Sequence, residues 1–155
     1  MLIRQSIRIA AAPEIIWNLV ADPVLQANWN CAVVAVDRPR SGPVQVGERY
    51  AMIYAVNGQD RPCQIEVLAS LRPQRVVFCN QMTWKNTTRI VEEAYDISPD
   101  RAGSRVVQSV DLSRAAIPWF ARAIIWLLSR LGYRVGPDPL QKLKRLAEAP
   151  VAPAP

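Results

Sequence analysis

The chain has 155 residues, half of them hydrophobic and 21% charged, which excludes a fibrous or intrinsically disordered protein and allows one domain with a substantial core. A net charge of +6 raises nucleic acid as a partner, but the late excess at Arg114, Arg122, Arg130, Arg134, Lys142, Lys144 and Arg145 forms no dense block. No zinc-finger spacing or aromatic-plus-basic RNA motif accompanies it, so no nucleic acid partner is expected. These residues read first as a solvated helix face, with an anionic lipid surface or an acidic ligand as the alternative.

Met1-Leu2-Ile3-Arg4 leads straight into alternating sequence with no signal-peptide pattern. In Leu2–Ala10, Ile3, Ile7 and Ile9 share a face with Gln5, as in a half-buried strand. Pro13 opens a short helix, Pro13–Asp22, whose Ile15, Ile16, Leu19 and Val20 make one apolar side. Asp22-Pro23 caps a further helical turn ending near Trp29. Trp17 and Trp29 read as helix-packing residues. From Cys31 the period becomes two. Strands are expected at Cys31–Val36, Tyr50–Val56, Arg61–Leu71, Val76–Trp84, Thr88–Ile97 and Arg105–Leu112. Asn57-Gly58 is the strongest hairpin signal, Lys85-Asn86 makes another turn, and Ser98–Gly103 joins the last two strands.

Ser113–Ala149 is helical. Ile117, Ala121, Ile124, Leu128 and Leu131 recur at three- and four-residue spacing, offset from the arginines. Asp138-Pro139 starts a second helix, with Leu140, Leu143 and Leu146 inward. The run Ile117–Leu131 falls short of the ~20 residues a bilayer needs and is interrupted by Arg122. Pro150–Pro155 reads as a disordered tail, leaving residues 1–149 as a single domain. Cys31, Cys63 and Cys79 are odd in number and widely separated, so buried free thiols in a reducing cytoplasm are expected.

Six sequential strands with short turns make an antiparallel meander, which the first strand must join across the helical detour. One face of that sheet needs a cover, and Ser113–Ala149 is the element expected across it, with Arg114, Arg122 and Arg130 outward and Ile124, Leu128 and Leu131 buried. Where a curved sheet and a helix diverge, a cavity is expected.

With Ile7–Pro23 (IRIAAAPEIIWNLVADP), Trp29-Asn30, Val46-Gly47, Gly103-Ser104-Arg105-Val106 and Leu143–Glu148 (LKRLAE), the chain resembles the START-like, or SRPBCC, helix-grip superfamily and its bacterial polyketide cyclase/dehydratase group. The resemblance spans Ile3 to Glu148. It implies an α+β helix-grip fold: a curved seven-stranded antiparallel sheet in the order β-α-α-β6-α, wrapped around a C-terminal helix, with an internal hydrophobic cavity. Such relatives bind lipids, sterols, plant hormones or polyketides, and some catalyse cyclisation or dehydration. The chain departs from the pattern where Gly136-Pro137-Asp138-Pro139 breaks the final helix, and in having no histidine.

Without histidine, Ser-His-Asp and Cys-His catalysis are excluded, and zinc loses its commonest nitrogen ligand. No Gly-rich phosphate loop is present, and neither a metal nor another cofactor is expected. What remains is polar side chains on apolar strand faces. Glu93 shares a face with Val91, Tyr95 and Ile97; Gln108 with Val106, Val110 and Leu112; Asn80 with Val76, Phe78 and Met82. A symmetric turn at Asp100-Arg101 sets Glu93 opposite Gln108. In the superfamily's strand order the first strand borders the last, which would bring Gln5, Gln108, Glu93 and Asn80 into one patch. These side chains either satisfy one another or form the polar floor of an apolar pocket. A one-residue slip would instead turn Glu92 and Asp96 inward.

On the functional reading Glu93 is the proton-transferring group, and Tyr54 or Asn80 polarises a carbonyl. Gln5, Tyr50, Phe78, Trp84 and Gln108 would contact the ligand, with Trp119 and Trp126 from the helical end. As core residues, the tyrosines and tryptophans need carry no chemistry. The expected activity is binding of a small hydrophobic or aromatic molecule, polyketide- or lipid-like. The alternatives are a polyketide cyclase/dehydratase and a module that docks a partner or membrane through the basic final helix. Oligomeric state is not legible.

Overall fold

The computed structural model describes residues 1–56, 58–130 and 138–149, the side chains of Trp84, Ile125, Leu128, Ser129 and Arg130 excepted. The elements run β1 (Leu2–Ile9), α1 (Pro13–Ala21), α2 (Pro23–Gln26), β2 (Val33–Asp37), β3 (Arg49–Val56), β4 (Gln59–Leu71), β5 (Arg75–Trp84), β6 (Thr87–Asp100), β7 (Gly103–Asp111), α3 (Trp119–Arg130) and α4 (Pro139–Glu148). The seven strands form one sheet in the order β1-β7-β6-β5-β4-β3-β2, each pair antiparallel. The architecture is therefore α+β, a curved antiparallel meander closed on one side by the first strand. Register shifts at Val33/Ala35 and Val67/Ala69 interrupt the ladder and bend the strands locally.

Local chemistry accounts for the punctuation. Lys85 and Asn86 both take positive φ, 46° and 62°, which matches the right-handed strand twist of the β5–β6 hairpin. The Asp22 carboxylate accepts from Val24 N (3.0 Å) and from Gly42 N (2.8 Å), capping α2 and tying it to the β2–β3 loop. Arg38, with no exposed side-chain surface, donates to both oxygens of Glu48 (2.6 and 3.1 Å) and to the Gly42 carbonyl (2.5 Å). Gly103 sits at φ +149°, where a Cβ would stand 2.2 Å from the Ile9 carbonyl oxygen; the β6–β7 hairpin meets β1 there with no room for a side chain.

The core lies on one sheet face. Ile16, Trp17, Val20 and Ala21 of α1, together with Trp29 and with Leu140, Leu143 and Ala147 of α4, pack with Ile9, Val67, Val76, Phe78, Tyr95, Ile97 and Val106 of the strands. Burying a leucine such as Leu143 contributes roughly 1.5–3 kcal/mol, which fixes the seating of α4 on β1 and α1.

Four expectations need correction. The cover is shared by α1, α2 and α4, whereas α3 leaves Ile124 55% exposed rather than buried. Leu128 is described only in its backbone, and Leu131, Arg134 and the tail Pro150–Pro155 lie outside the described residues. The inner face of α4 ends on Ala147, with Leu146 39% exposed, because positions 140, 143 and 147 share one arc of the helix and 146 lies at its margin. Cys31 is exposed; Cys63 and Cys79 are the buried free thiols. The last hairpin turns at Arg101-Ala102, with Asp100 paired to Gly103, so Glu93 faces Val110 and Tyr95 faces Gln108.

Candidate functional site

Burial falls along every central strand of the helix-covered face, in the same direction across the sheet. On β6 the series Ile97, Tyr95, Glu93, Val91 runs from buried to half-buried. On β7 the series is Val106, Gln108, Val110; on β5 it is Val76, Phe78, Asn80, Met82; on β3 it is Tyr50, Met52, Tyr54. On β1, Ile9 is buried while Gln5 is exposed. Helices α1 and α4 therefore close one half of the face and leave the other half partly open. The polar residues stand along that boundary. Register places them side by side: Gln5 opposite Gln108, Gln108 opposite Tyr95, Glu93 opposite Phe78, and Asn80 opposite Val91.

The centre of the boundary is a hydrogen-bonded triad. Tyr95 Oη donates to Glu93 Oε1 at 2.5 Å, and Gln108 Nε2 donates to the same oxygen at 2.6 Å and to Tyr95 Oη at 3.0 Å. Tyr95 is held from behind by an edge-on contact with Trp29, ring centroids 5.9 Å apart, and the Trp29 indole is anchored on the Leu19 carbonyl (2.9 Å). One carboxylate oxygen thus accepts two donors, while Oε2 takes part in neither bond. Such a carboxylate is oriented and still has an oxygen to offer.

Two further tyrosines feel the same charge. Burial pushes the Tyr54 hydroxyl pKa well above its ordinary value, and the Glu93 charge adds to the shift; among the described residues Tyr54 Oη donates to Met52 Sδ, a weak acceptor, at 3.7 Å. Tyr50 is raised by burial first, with Glu93 contributing, and its buried Oη has no hydrogen-bond partner among the described residues. Tyr95 is raised for the same reasons, burial before the neighbouring carboxylate. All three therefore remain neutral hydrogen-bond donors at ordinary pH.

The structure brings together Glu93, Gln108, Asn80, Tyr54, Tyr50, Phe78 and Gln5 on one face. It does not bring Trp119 or Trp126 into an enclosed wall, since they are 81% and 54% exposed on α3. Trp84 ends β5 opposite Thr87, and its side chain is outside the described set. Glu92 and Asp96 take the opposite face, where Asp96 pairs with Arg75 (2.5 Å) and Glu92 with Arg114 (3.7 Å). Tyr95 was not singled out from sequence; its signal was its place two residues from Glu93 on the same strand face. Two depressions bounded by described residues, of about 240 and 150 Å³, open elsewhere, beside Gln64 and Gln81 and beside Gly103 and Lys144. Among the described residues no group of three Cys, Asp or Glu side chains is arranged to hold a metal ion.

Residues 2–148 match the family model described as polyketide cyclase / dehydrase and lipid transport. No curated protein sequence matches the chain. Protein CV1439 from Chromobacterium violaceum has a similar structure, with a TM-score of 0.70 at 19% identity over 95% of this chain and 96% of its own. Protein MLL2253 from Mesorhizobium loti gives 0.69 at 16% identity over 98% and 100%. DynU16, a protein of the dynemicin biosynthetic locus, gives 0.64 at 16% identity over 96% of this chain and 47% of its own. At these identities the likeness is one of fold.

Proposed function

The chain belongs to the polyketide cyclase / dehydrase and lipid transport family, and from that premise we propose that it binds a polyketide- or lipid-like small molecule on the partly open half of the helix-covered sheet face. The observation that carries this reading is the alignment of one oriented carboxylate and two weakly partnered tyrosine hydroxyls along an apolar boundary. Apolar walls from Phe78, Val91, Val110 and Met82 would take a flat or flexible hydrocarbon frame, and the polar line would select its oxygens. No helix among the described residues is long and apolar enough to cross a membrane.

One feature favours a second reading, catalysis on that ligand. Glu93 Oε2 accepts neither of the two bonds that fix Oε1, which leaves an oriented oxygen of the kind that proton transfer at a carbon next to a carbonyl requires. Tyr54, Tyr50 or Asn80 would then donate to the carbonyl oxygen. The test is titration of tryptophan emission with a hydroxyanthraquinone and with oleate, in wild type and in Glu93→Gln and Tyr54→Phe. Saturable micromolar binding of the anthraquinone, weakened by Tyr54→Phe, supports the site; no saturable binding of either probe overturns it. Turnover of a linear poly-β-ketone surrogate that is abolished by Glu93→Gln, with affinity kept within a few-fold, separates enzyme from carrier.

A further inference from the structure

Helix α3 presents apolar side chains outward that no part of the ligand reading uses. Trp119, Phe120, Ile124, Trp126 and Leu127 are each at least half exposed, the lowest being Leu127 at 50%. Soluble proteins seldom leave a contiguous patch of this kind uncovered unless it meets something. At 3.6 residues per turn, these residues and the helix's two arginines follow one another around the axis in the order Arg122, Trp126, Trp119, Arg130, Leu127, Phe120, Ile124. The arginines and indoles share one side of this arc and Leu127, Phe120 and Ile124 the other, the division between the headgroup layer and the acyl chains of a bilayer surface.

The charge pattern selects the occupant. From Leu112 to Pro137 the chain carries Arg114, Arg122, Arg130 and Arg134 and no acidic residue. Arg122 is exposed, and Arg114 is 62% exposed even while paired with Glu92. A second copy of the chain docked through this face around a twofold axis would set like charges together with no acid on the segment to pair them. An anionic lipid surface offers hydrocarbon to the aliphatic arc, the headgroup layer to the indoles and negative charge to the arginines. We propose that α3 docks the protein on anionic membranes, lying in the interface plane with Phe120, Ile124 and Leu127 inserted. The helix is a surface anchor, since it is too short to span.

The test uses the full chain, without added ligand, with vesicles of phosphatidylcholine alone or containing 30% phosphatidylglycerol. Flotation with the anionic vesicles only, a blue shift of tryptophan emission and release at 0.5 M salt are expected. Arg122→Gln weakens binding about fivefold, the value of one basic residue near such a surface. Phe120→Asp and Ile124→Asp each weaken it more than tenfold, with melting temperatures unchanged because both positions are exposed. Glu93→Gln leaves flotation unaltered, so this proposal and the ligand site fail independently. Absence of flotation overturns the proposal. So does equal flotation with both lipids, or a dimer in light scattering that Ile124→Asp dissociates, which would make a second copy the occupant.

Discussion

Removing the Tyr95 hydroxyl tests the triad most directly. Tyr95→Phe keeps the ring and its 5.9 Å edge contact with Trp29, so packing at this buried position is conserved. It deletes the 2.5 Å donor to Glu93 Oε1 and the 3.0 Å acceptor for Gln108 Nε2. A hydrogen bond to a charged group contributes ~1.5–3 kcal/mol. Glu93 is half-buried and can recruit water, which places the loss at the lower end, about 2 kcal/mol. For a chain of this length that is a fall in Tm of roughly 4–8 °C. In a Glu93→Gln background the hydroxyl meets a neutral amide, and the same substitution should cost about 1 kcal/mol, giving a coupling of about 1 kcal/mol. Urea unfolding of the four proteins at constant m-value reads these terms. A single-mutant loss below about 0.5 kcal/mol, or additivity within ~0.3 kcal/mol, would refute the interaction. Altered near-ultraviolet dichroism of Trp29 would show that packing had been lost instead.

Gly103→Ala should lose about 1–3 kcal/mol from backbone conformation alone and more from the 2.2 Å approach to Ile9, read as a clear drop in Tm; an unchanged Tm contradicts the tight β1–β7 junction. Glu48 has its pKa lowered, chiefly by the Arg38 hydrogen bond, so its contribution to stability is present above the ordinary carboxylate range and is lost as the pH falls through the folded-state value. Arg38→Met should therefore destabilise at pH 7 by about 1.5–3 kcal/mol, the range for a hydrogen bond to a charged group, and flatten the urea-midpoint profile between pH 5 and 3; a parallel profile would reject it. Tyr50, Tyr54 and Tyr95 have raised pKa values, so the stability they contribute is complete below about pH 10 and is lost as the pH rises beyond it towards their folded-state values. In a Tyr133→Phe background, which removes the fourth tyrosine, phenolate absorbance should then appear together with unfolding; its appearance in the folded protein would mean the hydroxyls are not buried.

The strand faces were legible because alternation carries them without knowledge of any partner. Glu93, Gln108, Asn80 and Gln5 share a face as their periodicity required, and the pairing error in the last hairpin was two residues, an even shift that leaves every side chain on its own side. It arose because β6 continues through Pro99 to a tight Arg101-Ala102 turn, where Ser98–Gly103 reads locally as a loop. Tyr95 as a hydroxyl donor was not legible. Its role depends on Trp29 backing the ring and on Gln108 arriving from another strand, and neither is a property of the strand's own sequence.

Helix α3 marks a different limit. Periodicity in Trp119–Arg130 reports that the helix is amphipathic, and that alone cannot say whether its apolar arc meets protein, lipid or another chain. The described side chains answer only part of it: Trp17, Val20, Leu140 and Leu143 fill the covered half of the sheet, and among the described residues α3 adds none to that cluster. Because α4 is seated on β1 and α1 by its own leucines and by its Asp138 cap (Leu140 N donating at 3.1 Å), the covered half can stay closed while α3 takes up another partner. A continuous final helix would couple the two, since prising its first turns from the sheet would load the seat of its last. With α4 starting afresh at its Asp138 cap, α3 can engage a surface without loading the seat of α4. On that division of labour, substitutions at the exposed positions of α3, such as Phe120 and Ile124, are expected to change what the protein meets, and substitutions at Leu140 and Leu143 of α4 to change whether it folds.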